Sequence, residues 1–133
     1  MKILALDFGN KRIGIAIADS DIGVAAARDF LVHDGDAITN LVELIEHEQI
    51  EKVLFGLPLG LREETEQTTA AREFAKELDA KVAANVELID ERFTTKLAEK
   101  NLQTANLDSR QQKNLVDSES ARIILQEYLD NMS

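Results

Sequence analysis

Residues 3–8 are apolar on both faces, Ile3 and Ala5 on one side and Leu4, Leu6 and Phe8 on the other. A strand with no polar face must be covered on both sides, so this segment reads as the centre of a sheet. Gly9-Asn10-Lys11 follows as a turn, in which glycine permits a positive φ and asparagine tolerates one. Arg12 to Ala18 is a second apolar strand, which makes residues 3–18 a hairpin. The Asp21-Ile22-Gly23 turn leads to a third strand over Ala25 to Val32. The period then changes. Ile38, Leu41, Val42, Leu44 and Ile45 recur at helical spacing to about Glu48, with Asp36 placed to cap the helix. Lys52 to Gly56 is a short buried strand closed by a Gly56-Leu57-Pro58 turn. Ala70, Ala71, Phe74, Ala75 and Leu78 share one stripe of a helix over 66–79. Val82 to Ile89 alternates and has β-branched character, a fifth strand. Thr94 or Thr95 caps a helix to about Leu102, and a last helix follows a loop at 106–109 and runs to about Leu129.

The order β-β-β-α-β-α-β-α-α predicts the α/β class, a mixed five-stranded sheet with helices on both faces. A chain of 133 residues suits one domain over 1–133 that needs no staples. No run of about 18 apolar residues occurs, so no helical membrane span is expected. Cysteine is absent, which excludes disulfides and thiolate metal sites and fits the cytoplasm. With only His33 and His47 available, a metal would be held by carboxylates, which favours Mg2+ or Mn2+.

The net charge of −10 opposes a large nonspecific nucleic-acid footprint, which needs lysine and arginine to displace counterions. The charge is unevenly spread. Residues 34–79 hold twelve acidic and four basic side chains, whereas 92–113 hold five basic and two acidic. The acidity is concentrated on the first two helices, and selective or assisted binding is expected in place of tight general affinity.

Three carboxylates stand where solvated charge is not expected. Asp7 ends the most apolar strand, where a carboxylate is costly unless it is bonded or metal-bound. The bland alternative is that it bonds the turn amides of Gly9 to Lys11. Asp90-Glu91 closes the fifth strand, and alternation sends the two side chains to opposite faces, so only one of them can share a face with Asp7. Spacing alone does not choose between them. Asp117 precedes Ala121, Ile124 and Tyr128 by four, seven and eleven residues and so heads the apolar stripe of the last helix, unless that helix begins later. Glu119, Arg122 and Gln126 form its outer face, with Glu119 and Arg122 as an exposed pair. Three such acids drawn together would repel unless cations were bound. One or two Mg2+ ions there would support attack of water on a phosphodiester without a side-chain nucleophile. Lys11 and Arg12 beside Asp7, and Arg92, Thr94, Thr95 and Lys96 beside Glu91, are suited to contacting phosphate without reading sequence.

The segments Leu6-Asp7-Phe8-Gly9-Asn10-Lys11-Arg12-Ile13-Gly14, Gly56-Leu57-Pro58, Asp90-Glu91-Arg92-Phe93-Thr94-Thr95, Val116-Asp117 and Ile124-Leu125-Gln126-Glu127-Tyr128-Leu129 together resemble the YqgF (RuvX) family. The resemblance spans nearly the whole chain. It implies an RNase H-like fold and a nuclease acting on structured nucleic acid, either precursor 16S ribosomal RNA or branched DNA. It implies catalytic and metal-binding roles for Asp7, Glu91 and Asp117, with Mg2+ or Mn2+ as cofactor, and supporting roles for Arg12 and Arg92. A monomer or weak homodimer is expected. The chain departs from the family pattern in Ser118-Glu119-Ser120, where alanines are usual, in the weakly basic 110–114 stretch, and in the acidic 60–65 loop.

Two other classes compete. Asp7-Phe8-Gly9 followed by an apolar strand ending at Asp19 also resembles the phosphate-binding hairpin of sugar-kinase-like phosphotransferases, but 133 residues leave no room for their second domain. A noncatalytic binding module would retain the fold and the acidic surface. In such a module the loss of the three acids would leave biological function unchanged.

Overall fold

The computed structural model describes residues 1–57, 66–90 and 109–132. Five strands form one sheet of order β3-β2-β1-β4-β5. They are β1 (Lys2–Phe8), β2 (Arg12–Asp19), β3 (Ala26–Val32), β4 (Lys52–Leu57) and β5 (Asn85–Asp90). Short turns join β1 to β2 and β2 to β3, and both pairs are antiparallel. Parallel neighbours need a crossover. Helix α1 (Ala37–His47) brings the chain from the β3 edge back to β4 beside β1, and α2 (Glu66–Lys81) lies between β4 and β5, both pairs being parallel. Helix α3 (Ser109–Met132) completes the fold. The sheet is therefore mixed, as the element order predicts.

The two faces of β1 separate as the alternation requires. Leu4, Leu6 and Phe8 pack with Ile13, Ile15, Val53, Phe55 and Leu57 under α1 and α2, whose contributions include Leu41, Ile45, Ala71, Ala75 and Leu78. Ile3 and Ala5 pack with Ala16, Ala18 and Leu54 under α3, through Ala121, Ile124, Leu125 and Leu129. The α3 side is rich in alanine, which lets the helix lie close to the sheet. Ser118 and Ser120, where the family pattern has alanines, are fully covered, so small size is kept at both positions.

Several local expectations are corrected. Gly9 and Asn10 do not take a positive φ; Gly23 (φ 82°) and Gln49 (φ 56°) do. Gly9 is needed for space, since a Cβ there would lie 2.6 Å from the Arg12 carbonyl oxygen. Asp36 stands at the N-cap of α1 but makes no side-chain cap bond, because its backbone at φ −98° and ψ 2° lacks the extended geometry of a capping residue. Its own N–H is taken by the Asp34 carboxylate at 2.9 Å. Gly56 and Leu57 are not a turn but the last residues of β4, held by pairing to Ile89 and Asp90. Strand β5 starts at Asn85 rather than Val82. Ala70 is exposed, and Thr68 takes its place on the buried stripe of α2. The proposed outer face of α3 is half-buried: Arg122 binds Glu119 through Nε at 2.9 Å, and Gln126 accepts from the Ala25 N–H and donates to the Gly23 carbonyl. The expected helix over 94–102 lies outside the described residues.

Candidate functional site

Asp7 is the penultimate residue of β1, and its side chain is buried at 7% exposure. Its face follows from register. Ile3 and Ala5 belong to the α3 layer, so two-residue alternation places Asp7 there too. Its cross-strand partners are Gly14 on β2 and Gly56 on β4. Paired residues share a face, so the carboxylate has no side chain beside it on either neighbouring strand.

The row extends further. Gly56 pairs with Ile89, which packs on the α3 layer, and Leu57 pairs with Asp90. Leu57 belongs to the opposite layer, under α1 and α2. Position 90 therefore falls on the face away from Asp7. Glu91, the next residue, lies outside the described residues, as do Arg92, Thr94, Thr95 and Lys96.

Helix α3 approaches the same corner. Pairing of β2 with β3 shifts register across Gly14: Ile13 pairs with Leu31, whereas Ile15 pairs with Arg28. The Ile15 N–H, at this irregularity, is met by the Ser118 hydroxyl at 3.4 Å. Ser118 thus ties α3 to β2 next to the residue that pairs with Asp7. Asp117 precedes Ser118 and lies eight residues inside α3, so the alternative of a helix beginning later is excluded. It is one turn before the fully buried Ala121.

On the turn after β1, Lys11 is exposed. The Arg12 guanidinium lies over the Phe30 ring, 5.2 Å from its centroid, a cation–π placement that orients the head group. The structure therefore brings Asp7, Lys11, Arg12 and the backbone of position 117 to one end of the sheet. Gly14 and Gly56 are the residues that sequence reasoning undervalued. Their signal was available, since a glycine within a strand pattern marks a close approach to the backbone.

The family model described as RuvX, Holliday junction resolvase, matches residues 1–131. The chain belongs to the RuvX family. A protein of a Sulfurihydrogenibium species named "Putative pre-16S rRNA nuclease" is 40% identical over 135 residues, covering 99% of this chain and 92% of that one. A protein of the same name from Maridesulfovibrio salexigens is 39% identical over 132 residues, covering 97% and 98%. Membership places the chain among nucleases, and so among hydrolases. Among solved structures, RuvC of T. thermophilus in complex with Holliday junction substrate has a TM-score of 0.63 at 13% identity, covering 99% of this chain and 95% of that one. Fowlpox virus resolvase with Holliday junction DNA has a TM-score of 0.66 at 12% identity, covering 99% of both chains. At these identities the likeness establishes the RNase H-like fold of this RuvX family member. No helix among the described residues is long and apolar enough to cross a membrane.

Proposed function

We propose that the chain is a metal-dependent endonuclease that matures the 5′ end of precursor 16S ribosomal RNA in the cytoplasm. The observation that carries the reading is a buried carboxylate, Asp7, flanked on both neighbouring strands by glycine. An all-oxygen donor set of Asp7, Glu91 and Asp117 suits Mg2+ or Mn2+. Strand alternation past Ile89 favours Glu91 over Asp90 for this set, because position 90 pairs with Leu57 of the opposite layer. Asp117 is favoured by its place just before Ser118.

A bound cation would supply stabilisation of the charge that builds on a phosphodiester as water attacks it in line. The protein's part is to hold the three carboxylates in place and to position the strand. Lys11 and Arg12 bind phosphate from the β1–β2 turn, and Arg92, Thr94, Thr95 and Lys96 do so from the segment after β5. Gly14 and Gly56 let the backbone of the substrate come close to the sheet. The preference for RNA rests on the name of the full-length relatives, and the description of the family model supports the second reading, cleavage of a four-way DNA junction.

The test compares cleavage of a precursor ribosomal RNA fragment with that of a four-way DNA junction, each with Mn2+, using wild-type protein and Asp7→Asn. Cleavage of the RNA by wild type alone is expected. Cleavage of the junction alone replaces the substrate assignment, and equal cleavage by Asp7→Asn refutes the site.

A further inference from the structure

The β1–β2 turn and the first residue of β2 bear Lys11 and Arg12, the first two cations after Asp7 in sequence. Residues 9–11 lie outside both strands, and the turn sits at the end of the hairpin. It is held from β3. The His33 N–H donates to the Lys11 carbonyl at 2.9 Å. The His33 ring nitrogen Nδ1 lies 2.7 Å from the Gly9 carbonyl oxygen. A carbonyl only accepts, so Nδ1 carries the proton and donates. One residue therefore grips the turn at both of its ends, at Gly9 and at Lys11.

The ring itself is fixed by packing. It meets Phe8 edge-on at 4.8 Å between centroids and Phe74 of α2 edge-on at 5.3 Å, and Phe8 and Phe74 also meet each other at 5.2 Å. Phe8 is the neighbour of Asp7 on the other face of β1 and is 4% exposed. The imidazole is thus a link between the α2 layer and the turn. Packing locks its orientation, and its Nδ1–H bond goes to the backbone that leads to Lys11 and Arg12. Phe30, three residues earlier on β3, holds the Arg12 head group. The end of β3 is a scaffold for both cations of the turn.

We propose that His33 is a positioning residue of the nuclease site, setting the place of Lys11 and Arg12 relative to Asp7 through its bond to Gly9. The inference rests on the reading of Asp7, Lys11 and Arg12 given under Proposed function. His33 acts through the turn and does not touch the reacting atoms.

Two variants separate the directed bond from the packing. His33→Phe keeps an aromatic ring against Phe8 and Phe74 but has no donor. His33→Asn loses the ring but carries an amide nitrogen at the same number of bonds from the backbone as Nδ1. Each is compared with wild type for KM and kcat on the precursor ribosomal RNA fragment with Mn2+. Amide exchange at residues 9–12 is measured in parallel, without metal or RNA. His33→Phe is expected to raise KM about tenfold, the factor that accompanies loss of one well-made hydrogen bond, and to speed exchange at 9–12. His33→Asn is expected to restore both toward wild type even though its melting temperature falls. Wild-type KM and exchange in His33→Phe would overturn the proposal. So would a His33→Asn variant that is no better than His33→Phe. If wild type cleaves nothing, the reading of the site fails by itself, and a turn that exchanges no faster in His33→Phe shows separately that His33 does not hold it.

Discussion

Gly9→Ala sets two effects of opposite sign against each other. Gly9 has no positive φ, so alanine is conformationally allowed there. On backbone grounds alone the substitution would stabilise the protein by about 0.4–1 kcal/mol, by restricting the unfolded chain. The added Cβ, however, would lie 2.6 Å from the Arg12 carbonyl oxygen. A relaxed carbon–oxygen contact is about 3.3 Å or longer, so the turn must open by about 0.7 Å. The obstacle cannot swing aside, because it is backbone: Arg12 is the first residue of β2 and pairs with Val32 of β3. Opening the turn also lengthens the 2.7 Å bond between His33 and the Gly9 carbonyl. Forced expansion of a packed site costs about 1–3 kcal/mol, which outweighs the backbone gain. The net expectation is a loss of about 1–2 kcal/mol, or a fall of roughly 0.5–1 M in the urea midpoint at an m-value of about 2 kcal/mol/M. Circular dichroism through a urea titration measures it. A midpoint that is unchanged or higher refutes the steric argument, and a changed m-value shows that more than the turn has moved.

Other substitutions probe separate parts of the fold. Gln49 occupies the left-handed residue of a C-terminal cap, with the Gln49 N–H bound to the Glu46 carbonyl and the Ile50 N–H to the Ile45 carbonyl, so Gln49→Gly should stabilise by about 0.5–1 kcal/mol; a lower urea midpoint would refute this. Glu48 has its carboxyl held below the ordinary value of 4.5, first by the hydrogen bond from Lys2, then by the charge of Lys2, with Arg28 adding to it against the opposing effect of burial. A depressed carboxyl contributes stability above its unfolded pKa and loses it as pH falls through the folded one. Glu48→Gln should therefore be less stable than wild type at neutral pH, and the two melting curves should converge as pH drops below 4.5; a gap that persists in acid would assign the effect to packing.

The layer assignment was legible because β1 has no polar face, and period two then separates Ile3 and Ala5 from Leu4, Leu6 and Phe8 whatever the strand order. The unusual position of Asp7 was legible for the same reason, since it breaks that pattern and is buried. What sequence could not supply was register. Gly56 reads as a turn residue beside Pro58, and only its pairing with Asp7 and Ile89 shows it to be strand and to lie next to Asp7. Gly9 reads as a residue chosen for its φ, whereas the nearby Arg12 carbonyl is what excludes a side chain. Ser118 and Gln126 read as departures or surface. Their partners, Ile15 and the Gly23–Ala25 segment, are about a hundred residues away in sequence, and no local pattern encodes such contacts.

The layering also bears on the charge that argues against nucleic-acid binding. Glu43 and Glu46 on α1, and Glu73, Glu77 and Asp79 on α2, are exposed on helices that cover one face of the sheet. Asp7 belongs to the other face. A helix with its side chains is about 10–12 Å across, and the screening length at physiological salt is about 8 Å. The outer rows of α1 and α2 are then separated from the α3 side by more than one screening length, with the sheet between them. Their repulsion of a phosphate chain arriving at Asp7 is largely screened at physiological salt and grows as salt is removed. The net charge of −10 is thus a property of the whole surface. The proposed site is governed by the nearer charges, Lys11 and Arg12 at the same end of the sheet as Asp7, whose paired residues on both neighbouring strands are glycines.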